Sequence, residues 1–221
     1  MLRQEPSGET VSDVRPRRTY SSPRREAEAA ATRRRIVEAA HRLFVRDGYG
    51  LTTVRDIAVE AGVSVPTVRI NGPKPALLLA AYEMALAGVE DFISLNDTAA
   101  MGTILATRDR ASLIEAYAGF MAAALERMAE LTLRIRSAAD ADAEVRELYL
   151  RIDERRVRSI HEGVALLAST GMVPVEEVEH VETMVGLLVS ADTYLHLRAA
   201  GWDDGRYRSW LIDELTALVA G

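Results

Sequence analysis

Apolar residues recur at helical spacing along most of the chain, and the interruptions between them carry turn chemistry. Ile36, Val37, Ala40, Leu43 and Phe44 mark one face of a first helix, which Asp47 and Gly48 end with a glycine that tolerates left-handed backbone. Thr52 or Thr53 then caps a short second helix carrying Val54, Ile57 and Ala58, closed at Ala61, Gly62 and Val63. Ser64 caps a third, ending near Asn71, Gly72 and Pro73; its Pro66 falls in the first turn, where no intrahelical N–H is needed. Beyond Pro75 the apolar period predicts amphipathic helices over 75–94, 110–139 (a break near Leu131 being left open), 142–169, 174–200 and 204–220. The polar stretch 96–107 reads as a loop, and Gly171–Pro174 and Gly201–Gly205 as turns. No segment shows the period of two that a strand requires. The expected fold is all-α.

Charge divides the chain. Net charge is −6, which taken alone argues against a nucleic-acid partner, but residues 1–75 hold 14 of the 27 Lys and Arg and 9 of the 33 Asp and Glu, a balance of +5 against −11 for the remainder. Residues 1–26, with Pro6, Pro16, Pro23 and several arginines but almost nothing apolar to bury, are expected to form a disordered basic arm. There are no cysteines, which excludes disulfides, thiolate metal sites and cysteine nucleophiles. With no apolar leader and no run of eighteen apolar residues, the expected location is the cytoplasm, without a membrane partner. No nucleophile–base spacing, phosphate loop or complete metal set points to an enzyme.

Two short helices joined by a glycine-containing turn and preceded by a stabilising helix form the helix-turn-helix arrangement, whose second helix enters the major groove of DNA. Here the turn glycine is Gly62 and the reading helix runs from Ser64 to Ile70. The run from Ile36 to Lys74, including Leu43-Phe44, Gly48-Tyr49, Thr52-Thr53-Val54, Asp56-Ile57-Ala58, Ala61-Gly62-Val63-Ser64 and Thr67-Val68, closely resembles the N-terminal domain of the TetR family of transcriptional repressors. The resemblance implies a helix-turn-helix domain at 27–76 and a helical-bundle domain for ligand binding and dimerisation at 77–221. It implies that Thr53 and Lys74 bind phosphate and that Val65, Pro66 and Thr67 face bases, with Ser64 at the helix start. Arg69 and Asn71 would have to add polar readout, and Arg33, Arg34 and Arg35 would add phosphate or minor-groove contacts. One departure stands out. Family members usually continue the reading helix as Thr-Val-Tyr-x-x-Phe, whereas here Arg69 replaces the tyrosine and the phenylalanine is missing. A buried phenylalanine is worth about 3–5 kcal/mol, so Ile70 or Leu77 is expected to fill its place.

In the larger domain, Tyr117, Phe120, Met121, Tyr149, Ile152, His161, Met184 and Leu188 are the candidates to line an effector cavity, although apolar stripes in a bundle are more often plain core. Glu177 and His180 form half of a di-iron Glu-x-x-His set without its second half, so no metal or other cofactor is expected. Val178, Val181, Val185, Leu188 and Leu195, then Trp210, Leu211, Leu215 and Leu218, put more apolar surface on the last two helices than a monomer needs, which points to a homodimer through them. The expected function is a ligand-responsive regulator, most simply a repressor that binds a palindromic DNA operator as a dimer and is released by a small-molecule effector. The alternative is a helical ligand-binding or sequestering protein whose reading helix has decayed.

Overall fold

The computed structural model describes residues 23–219, so residues 1–22 of the expected basic arm lie outside the described residues. It is built from α1 (Pro23–Asp47), α2 (Val54–Ala61), α3 (Val65–Ile70), α4 (Lys74–Ala87), α5 (Ala99–Leu105), α6 (Arg110–Ala139), α7 (Ala143–Ser169), α8 (Val178–Leu188), α9 (Ala191–Ala199) and α10 (Asp204–Val219). Among the described residues there is no strand, as expected from the pattern.

Four boundaries differ from expectation, each for a local reason. Helix α1 begins at Pro23, so Pro23–Glu26, expected in the arm, are helical. Helix α4 stops at Ala87 because Gly88 turns left-handed at φ 73°, donating its N–H to the Met84 carbonyl. The stretch 96–107 holds α5, capped by Thr98, whose hydroxyl accepts from the Met101 N–H at 3.3 Å. Helix 174–200 is broken at Val189 and Ser190, where the Ser190 hydroxyl accepts from the Thr193 N–H at 3.1 Å and starts α9. Helix α6, by contrast, runs unbroken through Leu131, which is fully buried.

Helix α6 is the axis of the molecule and packs against α1, α4, α5, α7, α9 and α10. One core joins α1–α4 to the second half of α6 and the first half of α7, through Phe44, Ile57, Val68, Leu77, Leu131 and Leu148. A second joins the first half of α6 to α8, α9 and α10, through Leu125, Val185, Tyr207 and Leu211. The first core crosses the expected boundary between residues 76 and 77. Helix α4 explains this: Leu77, Leu78, Ala80, Ala81, Tyr82, Ala85 and Leu86 are buried around almost its whole circumference, so it belongs to head and body together. Two arginines of α6 also reach the head's helix ends, Arg127 Nε donating to the Ala85 carbonyl at 2.8 Å and Arg134 Nε to the Val45 carbonyl at 3.1 Å.

Of the apolar residues read as a dimer surface, Val181, Val185, Leu188, Leu211 and Leu215 are buried in the second core, because α8 and α10 fold back onto α6 and α7, while Val178, Leu195, Trp210 and Leu218 pack half-buried beside it. The exposed large apolar side chains in this region include Leu150, Val157 and Leu166 on α7, Val175 just before α8 and Leu187 on α8.

Candidate DNA interface and effector cavity

Local hydrogen bonds set the helix-turn-helix. Thr53 and Asp56 cap α2 reciprocally: the Asp56 N–H donates to Thr53 Oγ1 at 3.2 Å, and the Thr53 N–H and hydroxyl donate to Asp56 Oδ2 at 2.9 and 2.6 Å. These bonds hold the Asp56 carboxyl below the usual range, the hydroxyl bond being the larger cause. Gly62 ends α2 at φ 65°, in the left-handed region that favours glycine, and this turn sets the angle between α2 and α3. Ser64 caps α3 by accepting from the Thr67 N–H at 3.2 Å, and the two hydroxyls are 2.7 Å apart.

The structure separates the expected DNA contacts into free and committed groups. Arg34 and Arg69 are exposed, and among the described residues neither makes an ion pair or hydrogen bond; Glu60 pairs with Arg42 at 2.8 Å rather than with Arg69. Arg35 is exposed with one weak contact to Thr32 at 3.4 Å. Pro66 is exposed, and Val65 is half-buried against the first core. The Asn71 side-chain amide is turned inward, donating to the Thr67 carbonyl at 2.8 Å. Arg33 is occupied: it pairs with Glu90 at 2.6 Å and donates to the Asn71 carbonyl at the end of α3. Lys74 donates to the carbonyls of Tyr49 at 2.9 Å and Thr52 at 3.1 Å and sits 3.9 Å from the centre of the Tyr49 ring. Burial lowers its pKa and pushes the Tyr49 hydroxyl up to about 12. Leu77, one of the two residues expected to fill the place of the missing phenylalanine, has no exposure and lies in the first core. Ile70 does not; it is 86% exposed, because a helix of six residues that buries Val68 turns position 70 to the opposite side.

In the body, two apolar chambers of about 100 and 60 Å3 lie end to end between α6 and α7 and share Tyr117, Ser159 and Ile160. The first also meets Met101, Ile114, Val164, Val173 and Val185; the second meets Tyr82, Glu83, Phe92, Met121, Ile152 and Arg155. Of the eight expected cavity residues, Tyr117, Met121 and Ile152 line the chambers. Phe120 and Tyr149 pack half-buried beside the cores and Leu188 within one, while Met184 is half-buried on α8. His161 is on the outside, its Nδ1 2.9 Å from Glu182. Sequence reasoning missed Asn96, Met101 and Ser159. The caps at Ser94 and Thr98 and the four-residue spacing of Met101 and Leu105 were the available signal. Asn96 Nδ2 donates to the Ser159 carbonyl at 2.8 Å, and Ser159 Oγ accepts from the Leu95 N–H at 2.9 Å, which ties this segment to the cavity wall. The largest recess, about 550 Å3 between α1, α4, α6 and α9, is open and lined by Glu38, Arg42, Glu126 and Arg127, charges of both signs suited to solvent.

A charged path runs from the cavity to the head. Glu83, 2% exposed, accepts from Arg155 Nη1 at 2.6 Å and from the Asp91 N–H at 2.9 Å. Burial raises its pKa, against the lowering effect of those two donors. Asp91 has φ 61°, a left-handed conformation rare for a non-glycine residue. Its neighbour Glu90 holds Arg33, and Arg33 holds the Asn71 carbonyl of the reading helix.

Residues 36–68 match the bacterial regulatory proteins of the tetR family. No curated protein matches the chain. Among solved structures it is similar to a Mesorhizobium loti protein described as a TetR-family transcriptional regulator, at 19% identity and a TM-score of 0.64, covering 87% of this chain and 96% of that one. It is also similar to a transcriptional regulator from Saccharomonospora viridis in complex with choline (18% identity, TM-score 0.57, coverage 86% and 96%). A linker-substituted variant of HlyIIR shares the fold as well (17% identity, TM-score 0.54, coverage 87% and 100%). The helix-turn-helix segment thus matches the tetR-family model, and most of the chain shares the fold of these structures. No helix among the described residues is long and apolar enough to cross a membrane.

Proposed function

We propose that this protein is a cytoplasmic, ligand-responsive transcriptional regulator, most simply a homodimeric repressor that binds a palindromic operator and is released by a small-molecule effector. The observation that carries the reading is the tetR-family helix-turn-helix, its reading helix exposed, sharing one core with a body that encloses an apolar cavity. Arg34, Arg35 and Arg69 at the rim supply phosphate contacts, Thr53 is held as the cap of α2, and Lys74 braces the turn between α1 and α2 from beneath. The exposed Leu150, Val157 and Leu187 add α7 and α8 to the pairing surface, beside the half-buried Trp210, Ile212 and Leu218 of α10. Two-fold symmetry then sets the reading helices about 34–36 Å apart.

Neither chamber reaches the roughly 300 Å3 at which ligand pockets begin. An effector therefore has to displace Tyr117 or part α6 from α7, which ties binding to movement of the helices that hold α4. Such differential binding is what releases DNA. The similar structure from Saccharomonospora viridis holds choline, but here Arg155 and Arg156 line the second chamber and the one carboxylate, Glu83, is already paired. With Arg155 paired to Glu83 and Arg156 to Asp153, a neutral, largely apolar molecule fits this wall better than a cation.

Selection of random duplexes on the purified full-length protein at two salt concentrations tests the reading. Enrichment of a palindrome whose affinity falls steeply with salt supports it. No enrichment from a folded dimer rejects it in favour of the sequestering protein.

A further inference from the structure

Val68 is fully buried, and at 100° per residue Pro66 and Ile70 fall within about 20° of the direction opposite to it. They form an i, i+4 pair at the centre of the outward face of α3, with Ile70 86% exposed and Pro66 exposed. Neighbouring polar side chains are partly engaged with one another and with the backbone: the Thr67 and Ser64 hydroxyls are 2.7 Å apart and the Asn71 amide donates to the Thr67 carbonyl at 2.8 Å. Arg69 is the exposed cation on this helix. Resting on the DNA-binding reading above, we propose that Pro66 and Ile70 read thymine methyl groups, so that the core of each operator half-site is specified by apolar contact, with Arg69 at its edge.

The occupant of this apolar face is fixed by its surroundings. It lies in the groove-entering position of a helix-turn-helix, among the exposed cations Arg34, Arg35, Arg55 and Arg69, a charge complement to a phosphate backbone. In the major groove the one apolar group displayed by any base pair is the 5-methyl of thymine. The shortened end of α3 makes the reading possible: with Leu77 in the core, Ile70 is released to the surface.

The test uses the selected operator with each half-site thymine replaced in turn by deoxyuridine, which lacks only the methyl, and fluorescence anisotropy at fixed salt. One or two positions per half-site are expected to lose about three- to fourfold in affinity, the worth of one buried methyl. Ile70→Ala, at an exposed site and checked for unchanged melting, is expected to weaken binding to the thymine duplex by a similar factor and to abolish the thymine–uracil difference at one of those positions. Pro66→Ala is expected to do the same at another. An operator tolerant of uracil at every position, or a thymine–uracil difference unchanged in both variants, overturns the proposal while leaving DNA binding intact. Failure to enrich any duplex removes the DNA-binding reading itself, and this proposal with it.

Discussion

In the head, turns are fixed by side chains three residues away, whereas in the body the deciding contacts join residues dozens of positions apart. Thr53 with Asp56 and Ser64 with Thr67 cap the two short helices. Glu83 meets Arg155, Asn96 meets Ser159 and Arg136 meets Asp192 only because α4, α5, α7 and α9 are packed around α6. The two regions share one continuous core through α4. Local chemistry can thus specify a module whose core is nonetheless continuous with that of its neighbour.

The sharpest break of this comparison is Phe44→Ala. Phe44 has no exposure and stacks 5.7 Å from Tyr49, so its truncation is expected to cost about 3–5 kcal/mol. Calorimetry should show one lowered transition for head and body together; a separate early melting of the head would show that α4 does not unite them. Next, Leu77→Ala is expected to cost about 3 kcal/mol and Ile70→Ala less than about 0.5 in denaturant titrations. The reverse order would return Ile70 to the core.

On the side of long-range contacts, Arg155→Ala leaves the buried Glu83 carboxylate without its partner. Because a third of the Arg155 side chain is exposed, the expected loss is about 2 kcal/mol, below that of a fully buried pair. A double Arg155→Leu, Glu83→Leu variant should recover most of it; no recovery would mean that packing, not charge, had been lost. Thr53→Ala removes a local cap and should cost about 1 kcal/mol by chemical denaturation.

The smallest effects concern pH. Asp56 and Asp192 are held below the ordinary value of 3.8, chiefly by the hydrogen bonds from Thr53 and Arg136, so their contribution is present above that value and lost as pH falls through the folded pKa. Glu83 works in the opposite sense. Its folded pKa is raised by burial from 4.5, so its contribution is complete below 4.5 and is lost as pH rises through the folded value. Relative to the wild type, Glu83→Gln should therefore gain less thermal stability on acidification from pH 7 towards 4.5; melting curves of the two proteins that run parallel would refute this assignment.

The helix-turn-helix, its caps and the ends of the long helices were legible in the sequence, because periodicity, capping residues and a left-handed glycine act within a few residues of where they stand. Helices α6, α7 and α10 fall within a residue or so of their expected ends for the same reason. Helix α5 was legible in Thr98 and Met101, but its short apolar spacing was outweighed by polar and glycine neighbours. Which apolar faces meet depended on the packing of the helices against one another. It placed Val181, Val185, Leu211 and Leu215 inside the protomer, sent Ile70 outward and Leu77 inward, and left Tyr117, Met121 and Ile152 on a cavity while Leu188 became core. It also bound Arg33 to Glu90 and Lys74 to two carbonyls. A helix's apolar stripe says that it must be covered, not by what. The partner is set by how the helices pack on α6 and on one another, and no short stretch of sequence contains that information.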